Sequence, residues 1–394
     1  MNKQLLLYLP INCIFILLLT GCWDQINIED RGFVAGISID KSKNDTNNQN
    51  QITVMNQFVI PAKIGDIEKG GGDEKPFSNL SASGNSLSQI GQDLSSLTAR
   101  QPFYEHLKVI VFSEELAKEP GLFDSLADVF IRYHEMRRAT RVFIAGDRAS
   151  KILEIEPETD KIPAMYIDSL VENSEINLEL TEPVKLGDLH AFLLNEDSYA
   201  IPYVLPLDSR IEAAGVSIFF GGNNQLVGHL NKEETKGLNL IKRKNKGGTV
   251  NFEINNHLMV YSIDETNSSI KIDTSDQNNI KISVHIETEG HIQEMFGSKP
   301  LLDETYMEEM EEQINKRIKQ LATNTIEKAQ NELNVDFLGF ASILRQKHYS
   351  TWKDIQDNWE RGDNLFSKSD VTVSTSSTIL SIGATDRTKV KQNE

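Results

Sequence analysis

The chain has 394 residues, of which 39% are hydrophobic and 25% charged, and its formal net charge is −18. These are globular proportions, with room for two or three ordinary domains, and they exclude a disordered or low-complexity chain. So acidic a body is repelled by nucleic acid and by anionic lipid heads, which excludes a nucleic-acid partner and leaves a membrane to be reached by some means other than a basic surface.

The N-terminus is short and greasy. Lys3 supplies a positive charge, and an apolar run from Leu5 to Leu19 follows, interrupted by Pro10 and Asn12. A membrane-spanning helix needs roughly 20 apolar residues, so this run has the length and charge of a secretory signal instead. It ends in Leu19-Thr20-Gly21-Cys22. Small residues ahead of a cysteine suit a lipoprotein signal peptidase, and the thiol is an acceptor for a diacylglyceryl thioether. Residues 1–21 therefore read as a signal peptide and Cys22 as the lipid-attachment site. Two acyl chains hold a protein stably at about 0.8 kcal/mol per buried CH₂, whereas one is marginal. The competing reading, an uncleaved anchor with an incidental cysteine, fits the short run and the residue order less well. The other cysteine, Cys13, lies within the signal. A chain beginning at Cys22 thus has no disulfide framework, no thiol nucleophile and no cysteine-ligated zinc.

Beyond the anchor, Phe33, Ala35, Ile37 and Ile39 alternate with their neighbours and predict a strand ending at Asp40. Lys41–Asn50 is a polar loop, and Ile52, Val54, Phe58 and Ile60 predict the return strand, stopped by Pro61. Residues 65–76 read as a loop around Gly70-Gly71-Gly72. Leu87, Ile90, Leu94 and Leu97 lie on one face of a helix, Leu107–Phe112 is a buried strand, and Gly121–Arg138 reads as a helix with Leu122, Leu126, Val129, Tyr133 and Met136 inward. A strand at Arg141–Ala145 and a helix at Ala149–Ile155 follow, so the N-terminal part is a mixed sheet with helices.

Pro183, Pro202 and Pro206 then mark a change of character, and a boundary is placed near Leu207. Gly215–Phe220 and Gln225–Leu230 form a hairpin, Asn231 caps a helix from Lys232 to Ile241, and a basic loop, Lys242–Lys246, leads to a second boundary near Gly248. From Thr249 the chain is strand-rich, through Val250–Ile254, Ile270–Ile272 and Ile280–Ile286. A long helix from Asp303 to Leu333 carries the stripe Tyr306, Met310, Ile314, Ile318 and Leu321, acidic at its start and basic later, as the helix dipole favours. Two shorter helices (Phe337–Lys347, Thr351–Trp359), a last strand (Val371–Ile382) and a polar tail complete the chain. The fold class expected is α+β, with mixed and antiparallel sheets and packed helices. Its expected divisions are a signal peptide at 1–21, an N-terminal α+β domain at 22–206, a small middle domain at 207–248, a C-terminal α+β domain at 249–383 and a tail at 384–394.

No catalytic constellation stands out. The eight histidines are scattered; none pairs at helical metal spacing, and His285 and His291 come closest to a pair. There is no Gly-x-Ser-x-Gly elbow, and Gly70–Lys75 lacks the Gly-Lys-Ser/Thr ending of a phosphate loop. Arg132, Arg137, Arg138 and Arg141 could form an anion site, but a helix C-terminus whose cations meet Asp128 and Glu135 is favoured. The basic loop at 242–246 reads as a solvated turn, and the acidic start of the long helix lacks the spacing of a calcium loop. No cofactor and no metal are expected, and the chain is read as not being an enzyme.

Three stretches carry a family resemblance. The first is Gly21-Cys22-Trp23-Asp24 with Ile28-Glu29-Asp30-Arg31-Gly32-Phe33 and the strand to Asp40. The second is His106–Ala117, and the third is Ala214–Phe220 continued by Leu226–Gly237. In this order they resemble the Ger(x)C spore germination lipoproteins, from the lipobox to near Ile382. That resemblance implies a three-domain α+β fold and no enzymatic activity. It implies the C subunit of a nutrient germinant receptor, required for spore germination, lipid-anchored at Cys22 on the outer face of the spore inner membrane. Its implied partners are integral membrane subunits of the A and B types. Trp23, Asp24 and Arg31 match the motif and either contact partners or pack the first strand, with packing favoured. The alternative function is a lipid-anchored solute-binding protein for a nutrient; such proteins pair two α/β lobes across hinge strands, unlike the strand-rich second half here.

Overall fold

The computed structural model describes residues 30–42, 51–68, 75–242, 247–277, 279–295 and 304–381. The expected signal peptide, Cys22, Trp23, Asp24, Gly70-Gly71-Gly72, residues 243–246 of the basic loop and the tail lie outside these residues. The described residues form two lobes, each built on one sheet.

The first lobe contains β1 (Arg31–Lys41), β2 (Ile52–Val59), β3 (Phe77–Gly84), β4 (Gln101–Phe103), β5 (Val109–Ser113), β6 (Arg141–Ala145), β7 (Val184–Lys185), β8 (Tyr199–Leu207), β9 (Arg210–Phe220) and β10 (Gln225–Leu230). They join in one sheet of order β10-β9-β8-β6-β5-β1-β2-β3, with β4 beside β1 and β7 beside β6. Its centre, β8-β6-β5-β1, is parallel, and antiparallel strands extend it on both sides. A parallel centre needs cover on both faces, and every residue of β5 is buried. On one face, helices Leu87–Ser96, Leu122–Arg132 and Leu186–Asn195 bring Ile90, Leu94, Phe123, Phe130 and Leu189 against the sheet. On the other, Ala149–Glu154 and Pro163–Leu170 bring Ile152, Leu153 and Ile167. Gly36 allows that second face to close: a Cβ there would stand 2.8 Å from the Ala164 Cβ.

The second lobe has β11 (Thr249–Ile254), β12 (His257–Asp273), β13 (Lys281–Met295) and β14 (Asp370–Ser381) in the order β11-β12-β13-β14. Alternate residues of β11 and β13 are buried, as expected of a sheet covered on one face. The cover is the helix Glu304–Glu327, whose buried residues include the predicted stripe, Tyr306, Met310, Ile314, Ile318 and Leu321. Helix Lys232–Lys242 crosses this helix closely at Gly237, where a Cβ would lie 2.2 Å from Thr325 Oγ1. None of the helices among the described residues is long and apolar enough to cross a membrane.

Several local expectations shift. Residues 207–248, expected as a small middle domain, are shared between the lobes. Leu207 pairs with Arg210 across the turn of the β8–β9 hairpin. β9 and β10 extend the first sheet, whereas Leu238, Leu240 and Ile241 join the second lobe's core. Pro202 and Pro206 lie inside β8. Pro61 opens a helix, Pro61–Glu68, as proline can at a first helical position. The helix expected over Gly121–Arg138 ends at Arg132, because Tyr133 turns to extended backbone. Its buried face is Phe123, Leu126, Ala127 and Phe130, while Val129 and Tyr133 are exposed.

Candidate functional site

The expected lipid site, Cys22, lies just ahead of the point where the described chain begins. Of the opening motif, Arg31-Gly32-Phe33 can be placed. The Arg31 guanidinium sits 4.1 Å from the Phe103 ring centroid, a cation–π contact. Phe33 meets the rings of Phe103 and His106 edge-on at 5.8 and 5.5 Å. A Cβ at Gly32 would touch the Phe58 ring at 3.0 Å. These residues hold the start of β1 against β4, so Arg31 packs the first strand.

Three of the four arginines, Arg132, Arg138 and Arg141, have separate partners. Arg132 pairs with Asp128 one helical turn back at 2.6 Å. Arg141 pairs with Asp168 at 2.8 Å and Glu172 at 3.2 Å. Arg138 reaches His190 Nδ1 at 3.3 Å. His285 and His291 also go separate ways along β13, His285 to Ser374 and Glu287 and His291 to Asp264. No cluster of three or more potential metal ligands occurs among the described residues.

Two polar clusters emerge that linear reading missed. In the first lobe, Glu114 opens the helix Glu114–Ala117 and accepts hydrogen bonds from the Tyr203 hydroxyl at 2.9 Å and from Lys118. His229 Nε2 stands 3.3 Å from Glu114 Oε1 without the alignment of a hydrogen bond. Its Nδ1 is 3.1 Å from Ser217 Oγ, and its ring lies 4.2 Å from that of Tyr203. Burial alone would raise the Glu114 carboxyl; hydrogen bonds from Lys118 and Tyr203 outweigh it and hold the group below its usual range. Burial lowers the His229 imidazole, so it is neutral near pH 7. The Ser217–His229–Glu114 order has the residue types of a nucleophilic triad. Ser217 is fully buried, however, so its hydroxyl has no path to a substrate carbonyl, and the array serves packing. It ties together two of the motifs that carry the family resemblance, His106–Ala117 and Leu226–Gly237.

The second cluster joins the lobes. Asp336 accepts from the amides of Gly339, Phe340 and Ala341 at 2.9, 3.1 and 2.6 Å, and from the Trp359 indole at 3.0 Å. It caps the helix Phe340–Lys347. Glu360 accepts from the Asp336 amide and from Ser198 Oγ of the first lobe, and Ser198 Oγ accepts from the Gly221 amide. Around this core, Arg345 pairs with Asp197 and Arg361 with Glu196, both at 2.8 Å. Burial, and for Glu360 also the neighbouring Asp336 charge, pushes the carboxyls up, Asp336 to about 6 and Glu360 to about 7. Asp336 accepts four donors and Glu360 two, so the proton this pair takes up resides on Glu360. A local signal for Asp336 existed, an aspartate just ahead of Gly339 and an apolar helix start; nothing local pointed to Glu360 or Ser198.

The family profile described as "Spore germination protein N-terminal domain" matches residues 24–205, and that described as "Spore germination B3/ GerAC like, C-terminal" matches residues 214–383. Among proteins of Bacillus subtilis (strain 168), the chain is 30% identical to spore germination protein YndF over 97% of this chain and 98% of that one. It is 27% identical to spore germination protein A3 over 91% and 94% of the two chains, and 25% identical to spore germination protein B3 over 93% and 96%. The solved structure described as the GerBC protein superposes with a TM-score of 0.59 at 22% identity, covering 88% of this chain and 97% of that one, and so shares its fold. The chain belongs to the GerAC-like family of spore germination proteins.

Proposed function

We propose that this protein is the lipid-anchored C subunit of a nutrient germinant receptor. In this reading it is a non-enzymatic body tethered through Cys22 to the outer face of the spore inner membrane, where it binds integral membrane subunits of the A and B types. The observation that carries the reading is the collinear match of both family regions, at 24–205 and 214–383, directly behind Leu19-Thr20-Gly21-Cys22. The burial of Ser217 and the packing role of Arg31 support a binding rather than a catalytic role.

The tether acts by raising local concentration at the membrane, adding no contact of its own. The partner surface belongs to the first lobe, because Cys22 lies a few residues ahead of β1 and holds that lobe nearest the bilayer. A specific surface of this kind buries on the order of 800 Å² per partner. Cys22→Ala tests the tether. The variant is expected to leave the membrane fraction of spores, or to remain uncleaved, and to impair germination. The fold of the body should be unchanged by circular dichroism. Normal germination with Cys22→Ala still in the membrane fraction would show that protein contacts, not lipid, retain the subunit.

A further inference from the structure

The first lobe holds a pocket of about 340 Å³ beneath the helix Leu87–Ser96, within the range of small-molecule sites. Its wall is apolar where Ile37, Ile90, Leu94, Phe130 and Met136 line it. Polar residues line it elsewhere, and Glu135 is the one ionised side chain among them. There the rings of Tyr104 and Tyr133 stand edge to face with centroids 6.1 Å apart, and Asn56 Nδ2 donates to the Tyr104 hydroxyl at 3.0 Å. Glu135 also lines the pocket, and its Oε2 is buried with no hydrogen-bond partner. Burial raises both phenols above their usual range; the Glu135 charge adds to this for Tyr133, and for Tyr104 only after the opposing Asn56 hydrogen bond and the neighbouring Tyr133. Among the described residues no cation pairs with Glu135.

A buried carboxylate oxygen without a partner is costly, and structures retain such a group where something else satisfies it. Two tyrosine rings beside a carboxylate form the surroundings that favour an organic cation. We propose that this pocket binds a small organic ammonium with an apolar body: the ammonium against Glu135, Tyr104 and Tyr133, the body against Ile90, Leu94 and Phe130. The size and single charge suit a primary amine and disfavour an anion. Gln101 and Pro102 at the pocket rim pair with Arg31 and Gly32, so the site adjoins the point where the chain enters β1. The proposal is independent of whether Cys22 carries lipid.

The test is isothermal titration calorimetry on the full chain in detergent, with benzylammonium, benzyl alcohol and benzoate as probes. Benzylammonium is expected to bind saturably, at least tenfold tighter than benzyl alcohol, with benzoate weakest. Glu135→Gln should bring benzylammonium to the level of benzyl alcohol and leave benzyl alcohol unchanged. A second variant guards against misfolding. Gly91 lies on the helix at the pocket, and a Cβ there meets nothing within 4 Å. Gly91→Leu therefore keeps the helix and fills the opening, and should weaken both benzylammonium and benzyl alcohol at least tenfold. No saturable benzylammonium binding up to about 10 mM, a range that admits even weak ligands, would overturn the proposal. So would equal affinity in Glu135→Gln, or undiminished binding to folded Gly91→Leu.

Discussion

Asp40 in the first lobe and Asp336 in the second do the same local job with different consequences. Asp40, at the end of β1, accepts from the amides of Ala149 and Ser150 at 2.6 and 3.0 Å and so caps the helix Ala149–Glu154. Asp336 caps Phe340–Lys347 in the same way. Burial raises both carboxyls, but the hydrogen bonds of Asp40 lie within one lobe and no second buried carboxylate adjoins it among the described residues. Asp336 sits against Glu360, which reaches across to Ser198. The first lobe thus uses its buried charge to close its own sheet, and the second uses it to hold the lobes together. The titrating group is placed at the joint.

The largest effect expected from this contrast is Asp336→Ala. It strips the cap from three amides and the Trp359 indole at once and should cost about 3 kcal/mol in chemical denaturation. Asp40→Ala removes two such bonds and should cost about 2 kcal/mol. If Asp40→Ala proved the more damaging, the joint would be less important than its geometry implies.

Glu360→Gln sharpens the comparison through pH. The Glu360 carboxyl is raised from 4.5 to about 7, so the folded protein binds more protons than the unfolded chain between those values. Its contribution is fully present below about pH 4.5 and is lost as pH rises through about 7. Wild-type stability should therefore fall between about pH 5 and 8, and Glu360→Gln should flatten the fall and be the more stable of the two at about pH 8. A thermal melt series across this range reads it directly, and a wild-type curve that rose with pH would reverse the assignment. The smallest effect is Arg132→Ala. Its partner Asp128 is one turn away on an exposed face, so the melting temperature should not change measurably.

Much of this architecture is legible in the chain itself, for physical reasons that also mark where reading stops. β1, β5 and the stripe of the long helix follow from period and burial because their apolar residues recur at fixed intervals. β3 escapes that reading. Phe77–Gly84 is rich in serine, and its strand form comes from pairing along β2, from Ile52 with Gly84 to Val59 with Phe77. The helix Leu122–Arg132 is recognised but rotated: Phe112 and Phe219 draw Phe123 inward at ring distances of 4.9 and 4.7 Å, a tertiary preference no local pattern carries. The same limit applies to the polar clusters. Glu114 with His229, and Glu360 with Ser198, are remote in sequence and meet only when the sheets form. The proposed lipid site is the opposite case: the signal for it is contained in four consecutive residues, Leu19-Thr20-Gly21-Cys22.

If Cys22 carries the proposed tether, the contrast between the lobes extends to the membrane, with the first lobe, not the second, beside any integral partner. Site-specific photo-cross-linking in spore membranes tests this most directly, with probes at exposed positions of both lobes, such as Leu97 and Leu194 in the first and Tyr349 and Leu380 in the second. Cross-links to integral membrane proteins from first-lobe positions are predicted. Cross-links confined to residues beyond Thr249, or none from either lobe, would contradict the account.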